Sequence, residues 1–209
     1  MLQILSMKYL IWTSVLCLGA LGCNSTDDPK VPAAAQKVTQ CHSKEIGWTI
    51  TVPEGYTVSE TEDLDRIQEK GKELMENSLG GEIDMSGVKH LANFAKNQFN
   101  QFQSNIEPFD TAVDGNWNAH DHMLKEFIYD TYTQQGIHID SSVTETVTIS
   151  GKQFQHYTFT VYGPDKQVIL RQEIFGALLN GYSFGVNINY NDSTAYKEML
   201  QAWKSSGFQ

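Results

Sequence analysis

The chain has 209 residues, enough for one domain with a sizeable core. Its 40% hydrophobic and 19% charged residues exclude a disordered chain. A formal net charge of -10 leaves no basic surface to neutralise phosphates, so nucleic acid is not an expected partner. There are three cysteines, Cys17, Cys23 and Cys41. Cys17 lies in the N-terminal apolar run and Cys23 ends it, so Cys41 has no intramolecular partner and no disulfide framework is expected in the mature domain.

The N-terminus reads as an address. Met7-Lys8 makes a short basic region, and Tyr9 to Trp12 with Val15 to Leu18 make an apolar one, too short and wrongly flanked to span a bilayer. Met7 is an alternative start to Met1. The apolar run closes on Ala20-Leu21-Gly22-Cys23, which resembles the lipobox of bacterial lipoproteins, with Ala20 where leucine is most common. That resemblance implies cleavage before Cys23 and acylation of its thiol and amine. The alternative is an ordinary secretory signal with an incidental cysteine. Asn24-Ser25-Thr26-Asp27-Asp28 resembles the surface-export signal of Bacteroidetes lipoproteins, and reads equally as the soluble start of a linker. Residues 1–22 are therefore expected to be a signal peptide, 23–43 a lipidated cysteine with a flexible tether, and 44–209 the folded domain. A lipid anchor holds firmly, because each buried methylene contributes about 0.8 kcal/mol. The expected location is the bacterial cell envelope, at the outer membrane, with the membrane itself as one partner.

Within the domain, Gly47 to Val52 alternates, with Trp48, Ile50 and Val52 on one face, and Pro53-Glu54-Gly55 turns the chain. Tyr56 to Glu60 continues it. Glu62 to Leu79 has helical spacing at Leu64, Ile67, Leu74 and Met75, a cap in Thr61 and a stop in Gly80-Gly81. Val88 to Lys96 reads as a strand, and Asn97 to Asp110 as an extended segment packing Phe99, Phe102, Ile106 and Phe109. Trp117 to Gln135 is a second helix, with Trp117, Leu124, Phe127, Ile128 and Thr131 as its stripe and Gly136 as its stop.

From Val143 to Tyr190 four segments alternate between apolar and polar residues, separated by Ser150-Gly151-Lys152, Gly163-Pro164-Asp165-Lys166 and Asn180-Gly181. Period two with β-branched and aromatic residues and such turns predicts an antiparallel four-stranded meander. A final helix over Ser193 to Lys204 carries Tyr196, Met199, Leu200 and Trp203 on one face, capped by Asp192 or Ser193. The expected class is α+β: a single antiparallel sheet with a C-terminal meander and helices packed on it.

Gly47-Trp48-Thr49-Ile50-Thr51-Val52-Pro53-Glu54-Gly55-Tyr56, Ile149 to Phe154, Gly181-Tyr182-Ser183-Phe184 and the closing Ser206-Gly207-Phe208 resemble the Mog1/PsbP-like domains, and among them the bacterial DcrB-like ones. The resemblance spans roughly Ile46 to Phe208 and implies an α/β/α sandwich. These motifs specify turns and strand ends, not chemistry. The relatives variously bind a small GTPase, assist photosystem assembly or chaperone secreted effectors, and none of those sites maps residue by residue onto this chain.

Chemistry is sparse. Of six histidines, His120 and His122 sit two apart on a helix, about 200° apart around its axis, where zinc helices use a spacing of four. His120 falls on the packed stripe, and His122 can pair with Glu126. No metal or cofactor is expected. There is no Gly-x-Ser-x-Gly and no phosphate-binding glycine loop, so no enzyme is expected. The polar side of the meander, with Thr144, Thr146, Thr148, Thr158, Thr160, Arg171, Glu173, Asn187 and Asn189, is the one candidate binding face; Arg171, Glu173, Asn187 and Asn189 are its central candidates. The alternative is a solvated or helix-covered face with Arg171 and Glu173 pairing locally. The expected function is a non-catalytic binding or accessory module with a protein partner in the envelope. The other readings are an immunity or effector-chaperone protein, and a hydrolase whose residues converge only on folding.

Overall fold

The structure, a computed structural model, describes residues 40–60, 64, 66, 68, 69, 71–73, 76, 84, 85 and 87–209. The signal peptide, Cys23, the acidic motif after it, Thr61 and Gly80-Gly81 lie outside the described residues. The strands are β1 (Gln40–Ser43), β2 (Trp48–Thr51), β3 (Thr57–Val58), β4 (Lys89–Asn97), β5 (Asn100–Pro108), β6 (His138–Ser141), β7 (Glu145–Ile149), β8 (Lys152–Tyr162), β9 (Val168–Leu179), β10 (Tyr182–Tyr190) and β11 (Gly207–Phe208). Helix α1 (Trp117–Gln134) precedes β6, and α2 (Ser193–Lys204) follows β10. Leu64, Arg66, Gln68, Glu69, Lys72 and Glu76 are helical, within the segment expected to be a helix.

The class is α+β. The main sheet runs β3-β4-β5-β10-β9-β8-β6, with β7 also paired to β8, and β7 to β10 form the expected meander. A second sheet, β1-β2-β11, brings the two ends of the domain together, so the chain builds two sheets where one was expected. Its strand β1 uses Gln40–Ser43, which had been assigned to the tether. Four residues with two polar ones carry too little periodicity to be read as a strand; the pairing with β2 supplies what the local pattern lacks. β6 is likewise new, a short His-Ile-Asp-Ser strand that pairs with the far half of β8.

Helices pack on both faces of the main sheet. On one, α1 lays Leu124, Ile128 and Tyr132 toward Tyr157, Phe159, Val161 and Ile174, all buried. Phe127, expected on this stripe, is half-buried. On the other face, Trp203 of α2 is fully buried amid Trp48, Phe102, Phe154, Phe175 and Phe184, with ring centroids 5.1 Å apart for the Phe154 pair. Such edge-on aromatic packing adds to the burial of the rings themselves. Val143, expected on the apolar side, is 84% exposed in the β6–β7 connection, because β7 starts only at Glu145.

Candidate functional site

The register of β9 and β10 decides which candidate residues meet. Asn187 stands opposite Ile174 and Asn189 opposite Gln172, on the α1 side. Arg171 stands opposite Tyr190 and Glu173 opposite Ile188, on the α2 side. The expected single face of Arg171, Glu173, Asn187 and Asn189 is thus divided between the two faces of the sheet. The threonines divide too: Thr146 and Thr148 share the α1 side with Gln155 and Gln153, whereas Thr158 and Thr160 share the α2 side with Glu173 and Arg171. Alternation gives each strand two faces, but only pairing sets the phase between strands. β9 is buried on both faces through its middle, so its own pattern fixes no phase.

The asparagines face inward. Asn189 Oδ1 accepts from Gln172 Nε2 at 2.9 Å, and Gln172 Oε1 accepts from the Tyr132 hydroxyl at 3.0 Å, tying α1 to the sheet. Asn187 is fully buried, and its Nδ2 reaches Gln103 Oε1 at 3.5 Å.

The α2 side is different. Beyond the helix a strip of sheet lies open, with Arg171 exposed and Thr158, Thr160, Tyr162 and Ile169 half-buried. Arg171 Nη1 donates to Thr160 Oγ1 at 3.1 Å, leaving most of the guanidinium's donors free for an external acceptor. The Tyr162 hydroxyl donates to Asp140 Oδ2 at 2.7 Å, and the His138 ring lies 4.9 Å from that of Tyr162.

At the border between strip and core sits Glu173, a carboxylate only 8% exposed. His156 Nε2 lies 3.3 Å from it and the Tyr190 hydroxyl 3.5 Å, with Tyr196 of α2 donating alongside. Tyr190 and Tyr196 stack at 4.2 Å. The other imidazole nitrogen, Nδ1, is 3.0 Å from Glu145 Oε1 on β7, and the ring stacks on Phe175 at 4.5 Å.

Burial alone would depress the His156 pKa, but hydrogen bonds to Glu173 and Glu145 overcome it and raise the pKa above the ordinary histidine value. Burial would raise Glu173, and the donors His156, Tyr196 and Tyr190 together hold it below the usual carboxylate range. Burial first, then the charge of Glu173, push Tyr190 up to about 12. In the protonated ring both nitrogens donate to carboxylates, and the Tyr190 and Tyr196 hydroxyls donate to Glu173.

Sequence reasoning left His156 isolated and did not pair it with Glu145, although a signal exists. Ser150 and Gly151 both have positive φ, 49° and 78°, as a two-residue hairpin turn requires, and that turn places Glu145 opposite His156. Elsewhere, His120 is buried with its ring 5.1 Å from Phe109, its pKa lowered by burial. His42 meets Thr49, and His90 meets Gln68. Among the described residues no three His, Cys, Asp or Glu side chains are grouped to hold a metal ion. An open depression of about 570 Å³ at the start of α1 is lined by Thr111, Asn116, Trp117 and Leu178, and holds none of the candidate residues.

The antiparallel main sheet between α1 and α2, with a small second sheet that joins Gln40–Thr51 to Gly207–Phe208, is a Mog1/PsbP-like fold. The solution structure of cyanobacterial PsbP (CyanoP) from Synechocystis sp. PCC 6803 has this fold: it matches 87% of the present chain and 100% of its own length, with a TM-score of 0.53 and 9% sequence identity. No family model matches the chain, and no curated protein matches it.

Proposed function

We propose that this chain is a lipid-anchored accessory protein of a bacterial envelope, and that its domain binds a protein partner through the open strip around Arg171 without catalysing a reaction. The observation that carries this reading is the strip itself. It is a stretch of sheet bearing one exposed arginine amid half-buried threonines and Tyr162, on a face otherwise closed by α2 and the small sheet. Arginine and tyrosine are enriched where proteins meet proteins. Carriage of a small apolar ligand is less well supported, because the sheet face under α1 is filled by Tyr157, Phe159 and Val161, none of them measurably exposed. A hydrolytic role lacks support, because both nitrogens of His156 are bound to carboxylates. The lipobox-like ending at Cys23 supports the anchor.

Two experiments test the reading. A photo-crosslinker placed at Thr160 in cells making the full chain is expected to capture a partner, and Arg171→Glu to abolish the adduct. The same adduct formed equally from Asp130, on α1 across the sheet, refutes the strip as the interface. Cys23→Ala is expected to lose acyl label and membrane retention, and retention of both refutes the anchor.

A further inference from the structure

We propose that Glu145, His156 and Glu173 form a pH-sensitive clasp that fastens the edge strand β7 to the sheet and releases it at the Glu145 end alone when His156 loses its proton. The clasp works within this chain and needs no partner.

The geometry carries it. His156 lies on β8 between its two sheet neighbours, opposite Glu145 of β7 on one side and near Glu173 of β9 on the other. Nδ1 to Glu145 Oε1 is 3.0 Å and Nε2 to Glu173 Oε2 is 3.3 Å. Only the imidazolium donates from both nitrogens, so both contacts exist as hydrogen bonds in the protonated ring alone. The charged groups facing the ring are Glu145 from β7 and Glu173 from β9, with Phe175 stacked on it; Tyr190 from β10 and Tyr196 from α2 reach the far side of the Glu173 carboxylate. Arg171 is directed toward Thr160, and its charge is felt at Tyr190. Both carboxylates favour the cation, in keeping with the raised pKa of His156.

The two ends are unequal. The Glu145 side chain is 63% exposed and that of Glu173 is 11% exposed. Water readily replaces a donor at Glu145, whereas a donor withdrawn from Glu173 leaves a buried carboxylate short of partners, which is costly. The neutral ring therefore keeps its proton on Nε2, facing Glu173, and turns the Nδ1 lone pair toward Glu145, where charge and lone pair repel. β7 is the element that feels this. It is short, its one strand partner among the described residues is β8, and Glu145 and His156 are the last pair of that ladder before the β6–β7 connection. The sign follows from the raised pKa: the contribution is complete below the unfolded histidine value of about 6.5 and disappears as pH rises through the folded one.

The test uses the full chain with ¹⁵N-labelled histidine. Long-range ¹H–¹⁵N NMR is expected to show His156 titrating above about 6.5 and ending as the Nε2–H tautomer. Amide exchange corrected for the intrinsic chemical rate, compared at about pH 5.5 and about pH 9, is expected to show β7 protection falling roughly three- to tenfold. β9 protection should not change with it. Glu145→Gln, a change at an exposed position, is expected to lower the His156 pKa and to flatten the pH dependence of β7 alone. The proposal is overturned by an Nδ1–H tautomer, by equal loss of protection in β7 and β9, by no loss in β7, or by a Glu145→Gln chain that responds to pH as the parent does.

Discussion

At the scale of single residues, the interface between α1 and the sheet carries polar groups that the fold tolerates instead of using for strength. The Tyr157 hydroxyl is fully buried and has no hydrogen-bond partner among the described residues. Removing such a group relieves its desolvation cost, so Tyr157→Phe is expected to leave stability unchanged or raise it by about 1 kcal/mol in urea unfolding. Asp121 is 5% exposed, and burial, partly offset by the charge of Lys125, raises its pKa to about 7. A carboxyl whose folded pKa lies above its unfolded value binds more protons when folded. Stability is then greatest below the unfolded value of about 3.9 and falls as pH rises toward the folded one. Asp121→Asn is expected to remove this slope and to stabilise the chain at pH 8 by on the order of 2 kcal/mol, with little effect at pH 4. A difference between variant and parent that does not grow with pH would contradict that origin. The site explains why Gly176 is a glycine: a Cβ there would lie 2.6 Å from Asp121 Oδ1 and 3.4 Å from the Trp117 ring.

At the scale of elements, what was legible in the sequence follows the strength of the local signal. The second helix declared itself by its spacing and its Gly136 stop, and the terminal one by spacing and its cap, where Asp192 accepts from Thr194 N at 3.0 Å and Ala195 N at 2.7 Å; Asn116, which caps the second by accepting from Ala119 N at 3.0 Å, was not read. Asp192→Ala is expected to cost about 1 kcal/mol, read as a lowered urea midpoint at constant slope. Alternation and turns announced the meander, and its strands β8 to β10 formed where they were expected, with β7 starting at Glu145 instead of Val143. β1 and β6 escaped notice because four-residue strands carry scarcely two periods of alternation; β1 pairs with its near neighbour β2, whereas β6 finds its partner only in β8, beyond β7. The candidate face was half legible for a related reason. Arg171 and Glu173 do share a side with Thr158 and Thr160, but nothing in β9 or β10 alone reveals that Asn187 and Asn189 point the other way. The one local clue to the clasp, a two-residue turn that fixes Glu145 against His156, needed the register to be worked outward from Ser150-Gly151.

At the scale of the whole molecule, the two ends of the domain hold each other. β11 pairs with β2, setting Gly207 opposite Thr49 and Phe208 opposite Trp48, and Gln209 N donates to Gly47 O at 2.9 Å. Trp48 Nε1 donates to Ser206 Oγ at 3.0 Å across 158 residues of sequence. The Phe208 ring lies against Phe154, Phe184 and Trp203, so the last residues close the same aromatic cluster that anchors α2. Gly47 is fitted to this closure, with φ of 63° and a carbonyl oxygen of Gln209 only 2.5 Å from where a Cβ would stand. A side chain there meets backbone on one side and left-handed strain on the other, so Gly47→Ala is expected to cost roughly 1–3 kcal/mol. Ending the chain after Lys204 removes β11 and the acceptor of the Trp48 indole, and uncovers part of the cluster. Its expected cost is larger, several kcal/mol, and is expected to fall on the whole domain because Trp48, Phe154, Phe184 and Trp203 belong to one core. Calorimetry distinguishes the outcomes. A single transition at lower temperature is expected for both variants, with the truncated chain lower. A truncated chain that keeps the parent's melting temperature would show that the small sheet is an ornament and that the main sheet with α1 and α2 holds itself together.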